Sequence, residues 1–295
     1  MTAFRYLHLD VFAARRGGGN HLGVVIDASG WTDAAMQAFA RWTHLVETTF
    51  LLPPTDPTSS YRVRMFTPFR EIDFAGHPSV GSAHAALACG LVEPRDGLLW
   101  QECRAGVLPI RVEGDGGDRR LLLRSPAATV LDTGIDAHAL LRPALAGVAT
   151  GTLTPALVDG GRRWWVVECV DEAALRGWQP DHTAIGALGQ ASASMGICAF
   201  ARSNDDGHQL VVRALASGAG IAEDPASGAA NGLLAAYLAQ AEPHGPLARG
   251  YAVSQGREIG YDARLVVRID GDGAVWVGGC TNTIVDGSLQ WDANA

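Results

Sequence analysis

A chain of 295 residues, 47% hydrophobic and 18% charged, has ordinary globular composition and room for two domains of about 100–200 residues each. Its 31 acidic residues outnumber 23 basic ones for a net charge of −8, which argues against nucleic acid and anionic membranes as partners. Five scattered cysteines (89, 103, 169, 198 and 280) form no Cys-x-x-Cys and no metal-ligand spacing, so reduced thiols and no metal are expected.

The opening MTAFRYLHLDVF lacks a signal-peptide pattern, and no apolar run approaches the ~18 residues of a membrane span. A soluble cytoplasmic protein is expected. Alternation over Tyr6–Phe12 predicts a strand, and Leu22–Ile26 a second one after the turn Arg15–Asn20. The glycines at 17, 18 and 19 lack G-x-G-x-x-G spacing and no helix follows, so a dinucleotide loop is disfavoured. Thr32 can cap a helix to Arg41. Strands are expected at Glu47–Leu52 and Tyr61–Phe66.

The next stretch reads Phe74-Ala75-Gly76-His77-Pro78-Ser79-Val80-Gly81-Ser82-Ala83-His84. His77 is expected at an N-cap with Pro78 at the first helical position, and the helix should end at Gly90. Strands follow at Leu98–Cys103, Val107–Glu113 and Arg119–Arg124, and the pattern changes at Ser125-Pro126. A helical segment is expected within Ile135–Leu145 and a short one at Asp171–Leu175. Strands are expected at Ser194–Arg202 and Gln209–Leu215, and a hairpin at Ala263–Ile269 with Ala274–Val277.

The first motif has a second copy. Shifting by 147 positions lays His77 on Asp224, Pro78 on Pro225 and Gly81 on Gly228, so a helix over Pro225–Gln240 capped by Asp224 is expected. Val63–Phe66 likewise matches Val212–Leu215, and Gly161–Val167 loosely echoes Gly19–Val25. Two related halves follow, each offering a helix N-terminus, which attracts carboxylates and phosphates. Small residues (Gly81 and Ser82; Gly228 and Ala229) would let a ligand approach the backbone, although two well-capped helices would also account for the pattern. Glu47, set after Leu45-Val46, could be a carboxyl among apolar side chains with its pKa raised towards general acid/base use, or an exposed strand-end glutamate. His77 could donate to a substrate or relay a proton. No nucleophile elbow, H-E-x-x-H or P-loop is present.

These stretches resemble the phenazine-biosynthesis PhzF-like family over nearly the whole chain. The resemblance rests on Leu9-Asp10-Val11-Phe12 with Gly19–Val25, Glu47-Thr48-Thr49-Phe50, and Arg64–Pro68 leading into Phe74–Pro78. Glu223-Asp224-Pro225-Ala226-Ser227-Gly228 and Gln255-Gly256 complete it. It implies an α+β chain of two pseudo-symmetric diaminopimelate-epimerase-like domains, each a barrel-like sheet around a central helix. The expected division is residues 1–124, with 279–295 returning to them, and 125–278, the active site lying in the cleft between. It further implies a homodimer and a cofactor-independent isomerase of secondary-metabolite or antibiotic biosynthesis acting on a small carboxylate substrate. Glu47 matches the catalytic proton carrier. Gly76, His77, Gly81, Ser82, Asp224, Gly228 and Ala229 match the substrate-binding region. Ala229 departs from the serine usual there, Ile72-Asp73-Phe74 from Leu-Pro-Phe, and Gly260-Tyr261-Asp262 from the Gly-Arg-Pro stretch, which points away from the phenazine substrate towards a related cyclic or unsaturated amino acid. An amino-acid epimerase on the same fold and a non-catalytic ligand-binding member are the competing expectations.

Overall fold

The computed structural model describes residues 3–294. By internal packing the chain divides into two compact units, Met1–Arg124 with Gly278–Ala295, and Ser125–Val277. The first unit contains β1 (Ala3–Val11), β2 (Asn20–Ile26), α1 (Asp33–Thr43), β3 (Thr48–Leu52) and β4 (Tyr61–Phe66). The two-residue β5 (Glu71–Ile72), α2 (Gly76–Ala88), β6 (Leu98–Cys103), β7 (Gly106–Glu113) and β8 (Arg120–Arg124) follow. The second unit holds β9 (Thr129–Thr133), α3 (Leu141–Ala144), β10 (Ala156–Asp159), β11 (Arg163–Glu168), α4 (Glu172–Gly177) and α5 (His182–Ala191). It continues through β12 (Ile197–Asp205), β13 (His208–Leu215), α6 (Gly228–Ala241), β14 (Gly250–Gln255) and β15 (Ala263–Ile269). Then β16 (Val275–Gly279) leads to β17 (Thr281–Gln290), a strand of the first unit.

The two units repeat one pairing order. In the first, β17, β1 and β2 pair antiparallel in turn, β2 runs parallel to β3, β3 antiparallel to β4, β4 parallel to β6, and β6 antiparallel to β7. In the second, β9, β10 and β11 pair antiparallel, β11 runs parallel to β12, β12 antiparallel to β13, β13 parallel to β14, and β14 antiparallel to β15. Parallel neighbours require a crossover. Helix α1 supplies it between β2 and β3, α4 and α5 between β11 and β12, and α2 and α6 in the later crossovers. Gly23 opposes Thr48 in one unit and Trp165 opposes Ile197 in the other, so the faint echo of Gly19–Val25 in Gly161–Val167 marks equivalent strands.

Helix α2 is buried nearly all round, as a helix without a polar face must be, and packs against β1, β2, β3, β4, β6, β8 and β17. Close packing explains Gly81: a Cβ there would lie 2.5 Å from Leu22 Cδ2 and 3.0 Å from Val11 Cγ2. Helix α1 is amphipathic instead. Thr32 caps it, accepting from the Ala35 N–H at 3.1 Å, and its buried side packs Met36 and Phe39 on Val25, Trp31, Phe50 and Phe66. In the second unit Leu175, Trp178, Ile185 and Leu188 cover Trp165, Val167, Ala199 and Val211.

The structure departs from the sequence expectations in several elements. Only Leu141–Ala144 of the expected 135–145 segment is helical, because Pro143 fits the first turn of a helix and not its interior. Helix α5 was not expected, although Asp181 caps it through the Thr183 and Ala184 N–H groups. Strands β14 and β17 were not expected either. Their register comes from partners distant in sequence, Asp286 for instance bonding bidentately to Arg5.

Candidate active site

Glu47 stands immediately before β3, which begins at Thr48 rather than at the expected Glu47, and the next residue but one, Thr49, accepts a hydrogen bond from Ser82 of α2 at 2.9 Å. The Glu47 Oε2 lies 3.5 Å from Nε2 of His77, in the first turn of α2. The Glu47 and His77 side chains are only 13% and 8% exposed. This is not an ion pair. Burial, and secondly the charge of His21, push His77 down to about 3, with the His21 backbone opposing, so the ring is neutral at physiological pH.

The other ring nitrogen, Nδ1, lies 3.4 Å from Nδ2 of buried Asn20 at the start of β2. The three glycines place Asn20. Their N–H groups converge on the buried Asp10 carboxylate, Gly17 at 2.6 Å, Gly18 at 3.2 Å and Gly19 at 2.8 Å. At Gly19 a Cβ would stand 2.1 Å from the Val11 carbonyl oxygen, so only glycine fits. The loop that looked like a failed phosphate cradle therefore wraps an internal anion.

The N-cap of α2 is Ala75, without a side-chain cap, rather than His77. His77 is the second helical residue, and helix geometry gives the backbone N–H groups of Gly76 and His77 no intrahelical partner. Gly81 and Ser82 do not offer a ligand surface: Gly81 is a packing glycine, and Ser82 is fully buried on Thr49.

In the second unit the motif departs further. Helix α6 starts at Gly228, and its N-cap is Ser227, whose Oγ accepts from the Ala230 N–H at 3.4 Å. Asp224 is therefore not the cap. Its N–H donates to the Ala214 carbonyl at 2.9 Å, its own carbonyl accepts from Gln255 Nε2 at 2.8 Å, and its carboxylate accepts from the Ala226 N–H at 3.1 Å. These bonds hold residue 224 extended, so helix formation waits until 228. Burial raises the Asp224 pKa, the Ala226 N–H and Ser227 hydroxyl opposing and the Glu223 charge adding to it. Gly228 is half-buried and Ala229 exposed.

Ahead of each site helix stands a bidentate clamp that sequence reasoning missed. Arg64 binds Glu71 at 2.8 Å through both Nε and Nη2. Arg213 binds Glu223 at 3.0 and 2.7 Å and donates to the Trp178 and Leu175 carbonyls. Each arginine sits at one register position, opposite Phe50 and Ala199. The Val-Arg dipeptide shared by residues 63–64 and 212–213 was the available signal.

A strand-wrapped central helix with this pairing order, repeated in two α+β units, defines the diaminopimelate-epimerase-like class. The solved PhzF-family phenazine biosynthesis protein of Bacillus anthracis matches 98% of this chain and 100% of its own, with TM-score 0.84 and 25% identity. A hydroxyproline epimerase of Agrobacterium vitis shares the fold at TM-score 0.60 and 15% identity, over 97% and 92% of the two chains. Residues 9–287 match the family described as phenazine biosynthesis-like protein, PhzC-PhzF, and the chain belongs to it. Among its curated relatives, the trans-2,3-dihydro-3-hydroxyanthranilate isomerase of Pseudomonas aeruginosa is 32% identical over 270 residues, 91% of each chain. The fission yeast Schizosaccharomyces pombe protein named antisense-enhancing sequence 1 is 29% identical over 97% of this chain and 99% of its own. The chain is an isomerase of this family.

Proposed function

We propose that the chain moves a double bond in a small cyclic or unsaturated amino-acid-like carboxylate by cofactor-independent proton transfer, with Glu47 as the proton carrier. The observation that carries this reading is the Glu47 carboxylate, 13% exposed and 3.5 Å from the Nε2 of a neutral histidine. A neutral imidazole beside the carboxylate does not cancel its charge, which leaves Glu47 competent as a base. Glu47 takes a proton from one substrate carbon, the electron pair spreads along the unsaturated system, and the same carboxyl returns the proton to another carbon. The Gly76 and His77 N–H groups at the positive end of α2 suit a substrate carboxylate. Asp224, Gly228 and Ala229 are assigned to substrate binding by the family resemblance. A homodimer working in the cytoplasm in secondary-metabolite biosynthesis completes the proposal.

An epimerase with a matched base in each unit is less well supported, because the register equivalent of Glu47 is Gly196. The test uses trans-2,3-dihydro-3-hydroxyanthranilate, named in the Pseudomonas relative, with ring-substituted analogues, followed by proton NMR in D₂O. Migration of the double bond with an altered C–H pattern supports the proposal. Unchanged spectra across the series, or racemisation without migration, overturn it.

A further inference from the structure

We propose that Asn20 is a positioning residue that holds the ring proton of His77 on Nε2, facing Glu47. A neutral imidazole carries one proton, and its location follows from what the other nitrogen bonds to. The Asn20 amide nitrogen can only donate, so across the 3.4 Å contact Nδ1 of His77 is the acceptor and the proton stands on Nε2. Nε2 is the ring nitrogen on the Glu47 side, 3.5 Å from Glu47 Oε2. The opposite tautomer would turn a lone pair on Nε2 towards the carboxylate, and the two would repel.

The His21 backbone also lies within hydrogen-bonding reach of the His77 ring. The Asn20 amide, by occupying Nδ1, leaves that nitrogen no proton to give. The aim of Asn20 comes from further back. Buried Asp10 gathers the Gly17, Gly18 and Gly19 N–H groups, and the next residue is Asn20, which enters β2 opposite Val11. One chain of contacts therefore runs from Asp10 through the glycine loop to Asn20, His77 and Glu47. The charged and titratable groups facing His77 are Glu47 and His21.

The link to catalysis rests on the reading of Glu47 as proton carrier, whereas the tautomer does not. The experiment is ¹⁵N-detected NMR of the ligand-free, uniformly ¹⁵N-labelled protein, with the His77 resonances assigned from their loss in His77→Gln. The wild type is expected to show neutral His77 protonated on Nε2 near pH 7. Asn20→Asp, isosteric but acceptor-only, should move the proton to Nδ1 and raise the titration midpoint of His77. Asn20→Ala should lose the fixed Nε2 tautomer without that rise. An Nδ1-protonated wild type, or an Asn20→Asp protein with an unchanged tautomer, overturns the proposal. If the variants fail to fold, the wild-type spectrum alone decides it. No substrate is needed, so a failure of the proposed reaction and a failure of this inference are separately visible.

Discussion

Glu47 and Gly196 hold the same place in the two units: each immediately precedes the first residue of a hairpin pair, Thr48 with Phe66 and Ile197 with Leu215. One unit has a carboxyl there and the other has no side chain at all. Gly196 sits at φ 137°, and a Cβ would lie 2.0 Å from the Leu215 carbonyl oxygen. The two units share this register, but the acid stands on one side only and the backbone at Gly196 turns to a positive φ that Glu47 does not adopt.

Gly196→Ala should therefore cost about 3 kcal/mol or more, from the disfavoured backbone and the clash together. Equilibrium urea unfolding reads this as a lower midpoint. An unchanged midpoint would mean the strand can shift to admit a methyl group.

Glu47→Gln keeps the size of the side chain and removes its basicity. Turnover should fall at least about 100-fold, the lower range for loss of a positioned acid/base, while the thermal midpoint stays near that of the wild type. Full activity in this variant would remove Glu47 from the mechanism.

The two arginine clamps should differ in weight. Arg213 and Glu223 are 5% and 2% exposed, against 17% and 14% for Arg64 and Glu71. Arg213→Ala leaves a buried carboxylate and two carbonyls without their donor, a loss on the order of 3–5 kcal/mol. Arg64→Ala should cost less, because solvent reaches its partner. Arg142→Ala, which breaks the exposed contact to Asp136, should leave the urea midpoint unchanged.

Acid should destabilise the fold through buried histidines. Burial and the Arg119 charge take His84 from 6.5 to about 4, and burial takes His77 from 6.5 to about 3. Between those values and 6.5 the unfolded chain binds the extra protons, so stability is full above about 6.5 and falls as pH drops. Asp224, with its raised pKa, works in the opposite sense. His84→Gln, placed to keep the contact with Thr283, should flatten the decline between pH 6.5 and 4 by roughly 2–3 kcal/mol. Thermal melts across that range test it, and an unaltered slope would mean His84 is not part of the titration.

Much of the local structure could be read directly. The strands of both hairpins, the Thr32 cap and the equivalence of Val63–Phe66 with Val212–Leu215 all follow from short-range pattern. The helix starts were harder. His77-Pro78 and Asp224-Pro225 look alike, yet α2 begins one residue before His77 and α6 four residues after Asp224. Bonds to Ala214 and Gln255, 10 and 31 residues away, hold Asp224 extended, and no local signal reports them. Gly81 and Ser82 were misread for a similar reason, since smallness serves close packing as readily as ligand approach. The role of the three glycines was not legible either. Their partner, Asp10, stands seven to nine residues earlier, across a turn.

What the sequence determined by itself is the inventory: a duplicated chain, one carboxyl at the head of a strand, one histidine at the head of a buried helix, and the order of elements between them. These depend on periodicity and on contacts within a few residues, which composition and spacing record. What only the tertiary structure decided is how these groups meet. Glu47 comes within 3.5 Å of His77, His77 stays neutral, Asn20 reaches its far nitrogen, and Gly196 leaves the second unit without a matching acid. Distances, burial and strand register belong to pairings between remote segments, and the free energy that selects them comes from the whole packed unit rather than from any one stretch of it.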